Sequence, residues 1–264
     1  MSQEVKRAVL ITGGSNGIGL ALATVFAEHG HNLLLVARDA NRLQTVAGEL
    51  EKNFGITCDT IALDLSLDQS PYDLITLVNE RHLTIDILVN NAGFGTWGNF
   101  WETSSQRSQE EMQLNMVTLA LLTKYFVKEM VKQGNGKIMN VASTAAYQPG
   151  PLMAVYYATK AFVVSFSEAL SKELQDTGVT VSALCPGPTE TGFQQHAGMA
   201  KMHLLRKAFM MDARTVAECA YDGLIKGKRV IIPGLVNRIV AGSTKFIPKP
   251  WVLTTVIALH KRRG

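Results

Sequence analysis

At 264 residues, with 47% hydrophobic and 18% charged side chains, the chain has the composition of a globular protein and not of a disordered one. A chain this long can bury roughly three quarters of its unfolded surface without covalent staples. Cys58, Cys185 and Cys219 show no paired spacing and no histidine pair stands at i,i+4 with ligand neighbours, so neither a disulfide framework nor a structural metal is expected. The net charge of +4 is uneven: residues 223–264 carry nine Lys or Arg and no acid, whereas the preceding residues carry 17 bases and 22 acids.

In chain order, residues 8–12 form an aliphatic run with little alternation, predicting a strand buried on both faces. The run enters Thr12, Gly13, Gly14, Ser15, Asn16, Gly17, Ile18 and Gly19, and an amphipathic pattern over 17–29 follows, closed by Gly30. Glycines there let the backbone turn sharply and approach a pyrophosphate, while a helix N-terminus offers free N–H groups and a favourable dipole. The other reading of such a cluster is a plain tight turn. Strands follow at 32–37, 58–63 and 85–90, with a helix at 42–53. A helical pattern spans 108–133, then a strand at 137–142, a helix at 156–177 closed by Gly178, a strand at 179–184 and a seventh at 229–232. Strand–helix alternation at this spacing predicts an α/β fold: a doubly wound parallel sheet of about seven strands with helices on both faces, in one domain over 1–264. The first strand begins by about Val5, which leaves no room for a signal peptide and implies a reducing, cytoplasmic setting.

The loop TGxxxGxG at 12–19, Asn90-Asn91-Ala92-Gly93, Asn115, Ser143 and Tyr156-x-x-x-Lys160 stand in one order. Together they resemble the short-chain dehydrogenase/reductase family in its single-domain branch, over about residues 5–235. The resemblance implies hydride transfer between a nicotinamide cofactor and a carbonyl or alcohol carbon, with Tyr156 as proton donor and acceptor. Tyr156 and Lys160 share one helix face about 5–6 Å apart at Cβ. A phenol near pKa ~10 is a sluggish base; a nearby ammonium, with the ring of an oxidised nicotinamide, is expected to lower that value. Ser143 ends its strand at the carboxyl edge, where its hydroxyl can donate to a substrate oxygen as charge develops.

The resemblance further implies that Lys160 holds the nicotinamide ribose and that Asn115 carries a water-mediated relay to Lys160; read alone, Asn115 is a solvent-facing or back-bonding amide. It places Asn90, Ala92 and Gly93 along the adenosine, Asp64 by the adenine and Thr189 by the nicotinamide, with Leu65, Pro186 and Gly187 as further cofactor contacts. A helix cap or turn role is the alternative for Asp64. NAD-preferring relatives carry an acid where this chain has Ala37, and Arg38 follows, with Asp39 next. An arginine there accommodates a 2′-phosphate, so NADP(H) is the expected cofactor.

Phe94, Trp97, Phe100 and Trp101, then Tyr147, Pro149, Met153 and Val155, should flank the reacting carbon. After Thr189 comes an apolar stretch with Phe193, Met199, Met202, Phe209, Met210 and Met211, and the family uses 189–212 as a lid. Flexible Met-rich surfaces repack around varied apolar ligands, so a hydrophobic substrate is expected; core or oligomer packing is the competing use. Apolar residues on a second face of 108–133 and 156–177 suggest a homodimer or homotetramer. In the basic extension 233–264, Pro233, Pro248 and Pro250 prevent one continuous helix, and the apolar residues 251–259 are too few to span a bilayer. Peripheral contact with anionic lipid is one reading of this extension. A helix packed over the active site or a partner subunit, with a solvated charged end, is the preferred one. Nucleic-acid binding lacks any recognition motif. A catalytically silent cofactor-binding sensor or scaffold is the rival to an enzyme.

Overall fold

Successive strand residues point to opposite faces of a sheet, and in this chain both sets are apolar. Val9 and Ile11 join Leu22, Phe26, Leu43 and Val216 on one face, while Ala8 and Leu10 join Leu74, Leu122, Phe126 and Met130 on the other. Burying each such Leu, Phe or Met contributes roughly 1.5–3 kcal/mol, and this double burial explains the unbroken aliphatic runs in the sequence. The computed structural model describes residues 6–190, 210–244 and 246–261.

The strands are β1 (Lys6–Thr12), β2 (Leu33–Ala37), β3 (Cys58–Ala62), β4 (Leu83–Asn90), β5 (Gly136–Val141), β6 (Val179–Leu184) and β7 (Val230–Ile231). They pair in parallel in the order β3-β2-β1-β4-β5-β6-β7. Helices α1 (Gly17–Glu28), α2 (Ala40–Phe54) and α7 (Ala213–Ile225) cover one face. On the other lie α3 (Ser70–Glu80), α5 (Leu119–Gln133) and α6 (Ala154–Glu173). Helix α4 (Ser105–Met112) runs into α5 through a π turn, Gln113–Thr118, and α8 (Leu235–Ser243) and α9 (Lys249–Lys261) complete the described helices. The order reverses at β1, so a crevice opens at the carboxyl ends of β1 and β4, where such sheets bind ligands.

The helix expected over 108–133 is real but interrupted by the π turn. Three helices, α3, α7 and α8, escaped the sequence reading. The buried stripe of α7 is Val216, Ala217, Ala220, Gly223 and Leu224, and small residues give a weak periodic signal. In α3 the buried set is Ser70, Pro71, Leu74 and Val78, only two of them large and apolar.

Candidate active site

The loop leaving β1 is built so that backbone can approach a ligand. Gly13 has φ 67°, and a Cβ on Gly19 would lie 2.1 Å from the Gly13 carbonyl oxygen, so neither position accepts a side chain without displacement. Asn16 precedes α1 in extended conformation, makes no side-chain cap, and no acid occupies the first turn. The first-turn N–H groups of Gly17, Ile18 and Gly19 have no intrahelical acceptor, which suits an anion there. Ser15 is buried, and its hydroxyl accepts from Asn16 Nδ2 at 3.2 Å.

Thr12 works inside the protein: its Oγ1 accepts from the N–H groups of Asn91 and Ala92, both at 3.0 Å, tying the ends of β1 and β4 together. Asn91 stands in the motif quoted above, but the sequence reading gave it no role. Its Nδ2 donates to the Thr12 and Gly13 carbonyls at 2.9 and 3.2 Å, so it holds the glycine loop in shape. Asn90, expected along the adenosine, points elsewhere. It is buried and its Nδ2 donates to Thr123 Oγ1 and Asn140 Oδ1, both at 2.9 Å. Strand alternation explains the exchange, because neighbouring residues face opposite ways. Side chains at 90 and 91 cannot both reach the loop.

At the adenosine end, Arg38 is exposed after β2, 3.9 Å from Asp64 Oδ2. Asp39 is occupied as the cap of α2, its Oδ1 accepting from the Arg42 N–H at 3.0 Å. The Asp64 carboxylate closes a turn, accepting from the N–H and hydroxyl of Ser66 at 3.0 and 2.7 Å. Leu65 buries its side chain in the core with Leu74 and Leu122, which leaves its backbone to meet a ligand.

Ser143 follows β5 and caps a 3-10 turn, Thr144–Tyr147, its Oγ accepting from the Ala145 N–H at 3.1 Å. The hydroxyl proton thus points away from that turn, and a hydrogen bond joins Ser143 to Tyr156. Lys160, one turn along α6, is buried and donates from Nζ to the Val141 carbonyl at 2.8 Å. Its Nζ lies 5.8 Å from the Tyr156 ring centroid. Burial pushes the lysine down to about 8, against opposing pulls from Cys185 and Glu111. The expected lowering of the Tyr156 phenol by this lysine is not what the protein alone produces. Burial raises the phenol, and the Ser143 hydrogen bond only partly offsets it.

Asn115 lies inside the π turn and is buried. Its Oδ1 accepts from the Phe94 N–H at 3.2 Å, and its Nδ2 donates to the Phe94 carbonyl and Thr159 Oγ1 at 2.8 and 3.1 Å. A Cβ built on Gly93 would lie 2.9 Å from Asn115 Oδ1 and 3.4 Å from Lys160 Nζ, so both groups face the bare backbone of Gly93. Gly95 likewise lies flat on the Tyr156 ring and Met153. Met153 is buried against Trp97, Tyr156 and Tyr157, giving the site an apolar wall. Phe100 and Trp101, expected in that wall, are exposed.

Glu111 is a second residue the sequence reading missed. It is fully buried on α4, and neither carboxyl oxygen has a partner in hydrogen-bond geometry among the described residues. Burial pushes it up to about 7, while nearby Thr96, Arg107 and Lys160 pull the other way. An acid one turn before Asn115 was visible in the sequence, but nothing there marked it as buried.

Beyond β6, the Pro186 carbonyl accepts from the Thr144 N–H at 2.9 Å, and a Cβ on Gly187 would meet the Asn237 amide at 2.5 Å. Thr189 is buried, bridges to Met211, and donates to the Gly187 carbonyl at 3.0 Å. The expected lid, 189–212, has its middle, 191–209, outside the described residues. The residues present therefore fit a dinucleotide: a side-chain-free loop, an open helix N-terminus and a carboxyl-edge serine, tyrosine and lysine.

Residues 7–202 match the short chain dehydrogenase family, and the chain belongs to it. It is 36% identical over 179 residues to 17-beta-hydroxysteroid dehydrogenase type 3 of Mus musculus, 67% of this chain and 58% of that protein, so under two thirds of that relative is spanned. Very-long-chain 3-oxoacyl-CoA reductase of Rattus norvegicus is 29% identical over 259 residues, 96% of this chain and 79% of the relative. Among solved structures, a short-chain dehydrogenase from Sphingobium yanoikuyae in complex with NADPH superposes with a TM-score of 0.80. It is 31% identical, over 92% of this chain and 96% of that one.

Proposed function

We propose that this protein interconverts a hydrophobic ketone and its secondary alcohol with NADP(H), using Tyr156 as general acid and base. The observation that carries this is the meeting of Ser143, Tyr156 and Lys160 at the carboxyl edge of β5, with Ser143 bonded to the phenol. When bound, the reduced nicotinamide supplies the hydride that the carbonyl carbon accepts. The raised Tyr156 phenol keeps its proton at neutral pH, so it stands ready to donate from Oη to the substrate oxygen. Ser143 donates to the same oxygen and steadies its developing charge. Lys160, with Asn115 beside Gly93, holds the ribose and passes a proton back toward Tyr156.

The glycine loop and α1 hold the pyrophosphate, and the exposed Arg38 meets the 2′-phosphate. Asp39, spent on its cap, offers no competing ribose contact, which favours NADP over NAD. The substrate class is supported by the Met153–Trp97 wall and by relatives named for steroid and very-long-chain acyl substrates. The reading includes a cytoplasmic setting, a lid over 189–212, and a homodimer or homotetramer joined through α5 and α6, on which Val131 and Phe162 are exposed.

The test is NADPH consumption against carbonyls graded in size and polarity. Alkyl and aromatic ketones should outrank small sugars. A preference for sugars would refute the hydrophobic pocket, and tight NADPH binding without turnover of any carbonyl would favour the sensor or scaffold.

A further inference from the structure

Helix α9 is held by one stripe. Val252, Val256 and His260, four residues apart, are buried. His260 Nδ1 lies 2.6 Å from the Pro151 carbonyl and its Nε2 3.4 Å from Tyr157 Oη, tying the helix to the loop before Tyr156. The preceding residues do the opposite. Helix α8 fully buries only Ala241, while Leu235 and Ile239 are 65% and 61% exposed. In the connector and the start of α9, Phe246 is 88% and Trp251 71% exposed. Scattered exposed apolar residues are ordinary, but a run of large ones marks an interaction surface. No described helix is long and apolar enough to cross a membrane.

Charge selects the occupant. Arg238 and Lys249 stand exposed among these residues, and residues 223–264 hold nine bases and no acid. A second copy docked here about a two-fold axis would set this basic segment against itself, with no acid in it to answer. An exposed segment with large apolar side chains and no charge but basic ones matches an anionic bilayer, where apolar side chains enter the headgroup boundary and bases meet lipid phosphate and carboxylate.

We propose that α8, Phe246, Ile247 and Trp251 form a lipid-docking face that lays the protein on an anionic membrane surface. This departs from the preferred sequence reading of the extension as a merely packed helix with a solvated end. The inner stripe does pack; the outer face is left for lipid. Each base at such a surface strengthens binding roughly five-fold.

The test is co-sedimentation of the full chain with vesicles of phosphatidylcholine alone and with about one third phosphatidylserine. The expected result is binding at least roughly ten-fold tighter to the anionic vesicles, weakened by added salt. Phe246→Ser with Trp251→Ser should lower that binding roughly ten-fold or more, with NADPH affinity unchanged; both side chains are exposed, so the fold should tolerate their loss. Equal binding to the two vesicle types would overturn the proposal. So would anionic binding that the double variant leaves intact, or a wild-type dimer that the double variant converts to monomer.

Discussion

Replacing Glu111 with Gln should stabilise the protein, and only at neutral and alkaline pH. The side chain is fully buried on α4, with no partner in good hydrogen-bond geometry among the described residues and only a weak pull from Thr96, and burial raises it from an ordinary 4.5 to about 7. A raised carboxyl keeps its proton in the folded chain after the unfolded chain has lost it. Below about pH 4.5 both states are protonated and the residue costs nothing; the cost grows as pH rises and is complete above about pH 7. At 1.36 kcal/mol per pH unit, the full cost is about 3 kcal/mol. Glutamine keeps the volume and polarity and cannot ionise. Urea unfolding of the two proteins should therefore show a gap that widens by about 2–3 kcal/mol between pH 5 and pH 8, in favour of the variant. A gap that stays constant across that range would refute the reasoning. It would mean that Glu111 is hydrated or paired in the folded protein.

Arg38→Ala should weaken NADPH binding roughly 10–100-fold, the loss of one or two charge-assisted hydrogen bonds, and leave NADH nearly unchanged; equal losses for both cofactors would remove the 2′-phosphate assignment. Asn91→Ala deletes two hydrogen bonds to the Thr12 and Gly13 carbonyls. It should lower stability by about 1–3 kcal/mol and weaken cofactor binding, both measurable by thermal unfolding with and without NADPH. Stability and binding equal to wild type would show that the glycine loop needs no such support.

The sheet was legible because each buried strand is apolar on both faces. All seven strands lie within two residues of their predicted positions, and the carboxyl-edge motifs fell where the topology needs them. Tyr156, Lys160 and Ser143 were readable because four-residue spacing and strand ends translate directly into shared faces and edges. Asn90 and Asn91 were not separable, since two adjacent asparagines differ only in which way the strand turns them. Glu111 was hidden for a related reason: on paper it ends a polar run, Glu102 to Glu111, and only the packing of α4 against α6 buries it. The phenol's upward shift also needed coordinates, because the sequence shows the lysine beside it but not how completely the phenol is buried.

The most direct measurement is reduction of a hydrophobic ketone by NADPH with wild type and Tyr156→Phe, alongside NADPH binding to each. Turnover should fall roughly 10²–10⁴-fold or more in the variant, with NADPH affinity preserved, because the phenol oxygen carries the proton and not the cofactor. Turnover that survives the substitution would contradict Tyr156 as the acid and base.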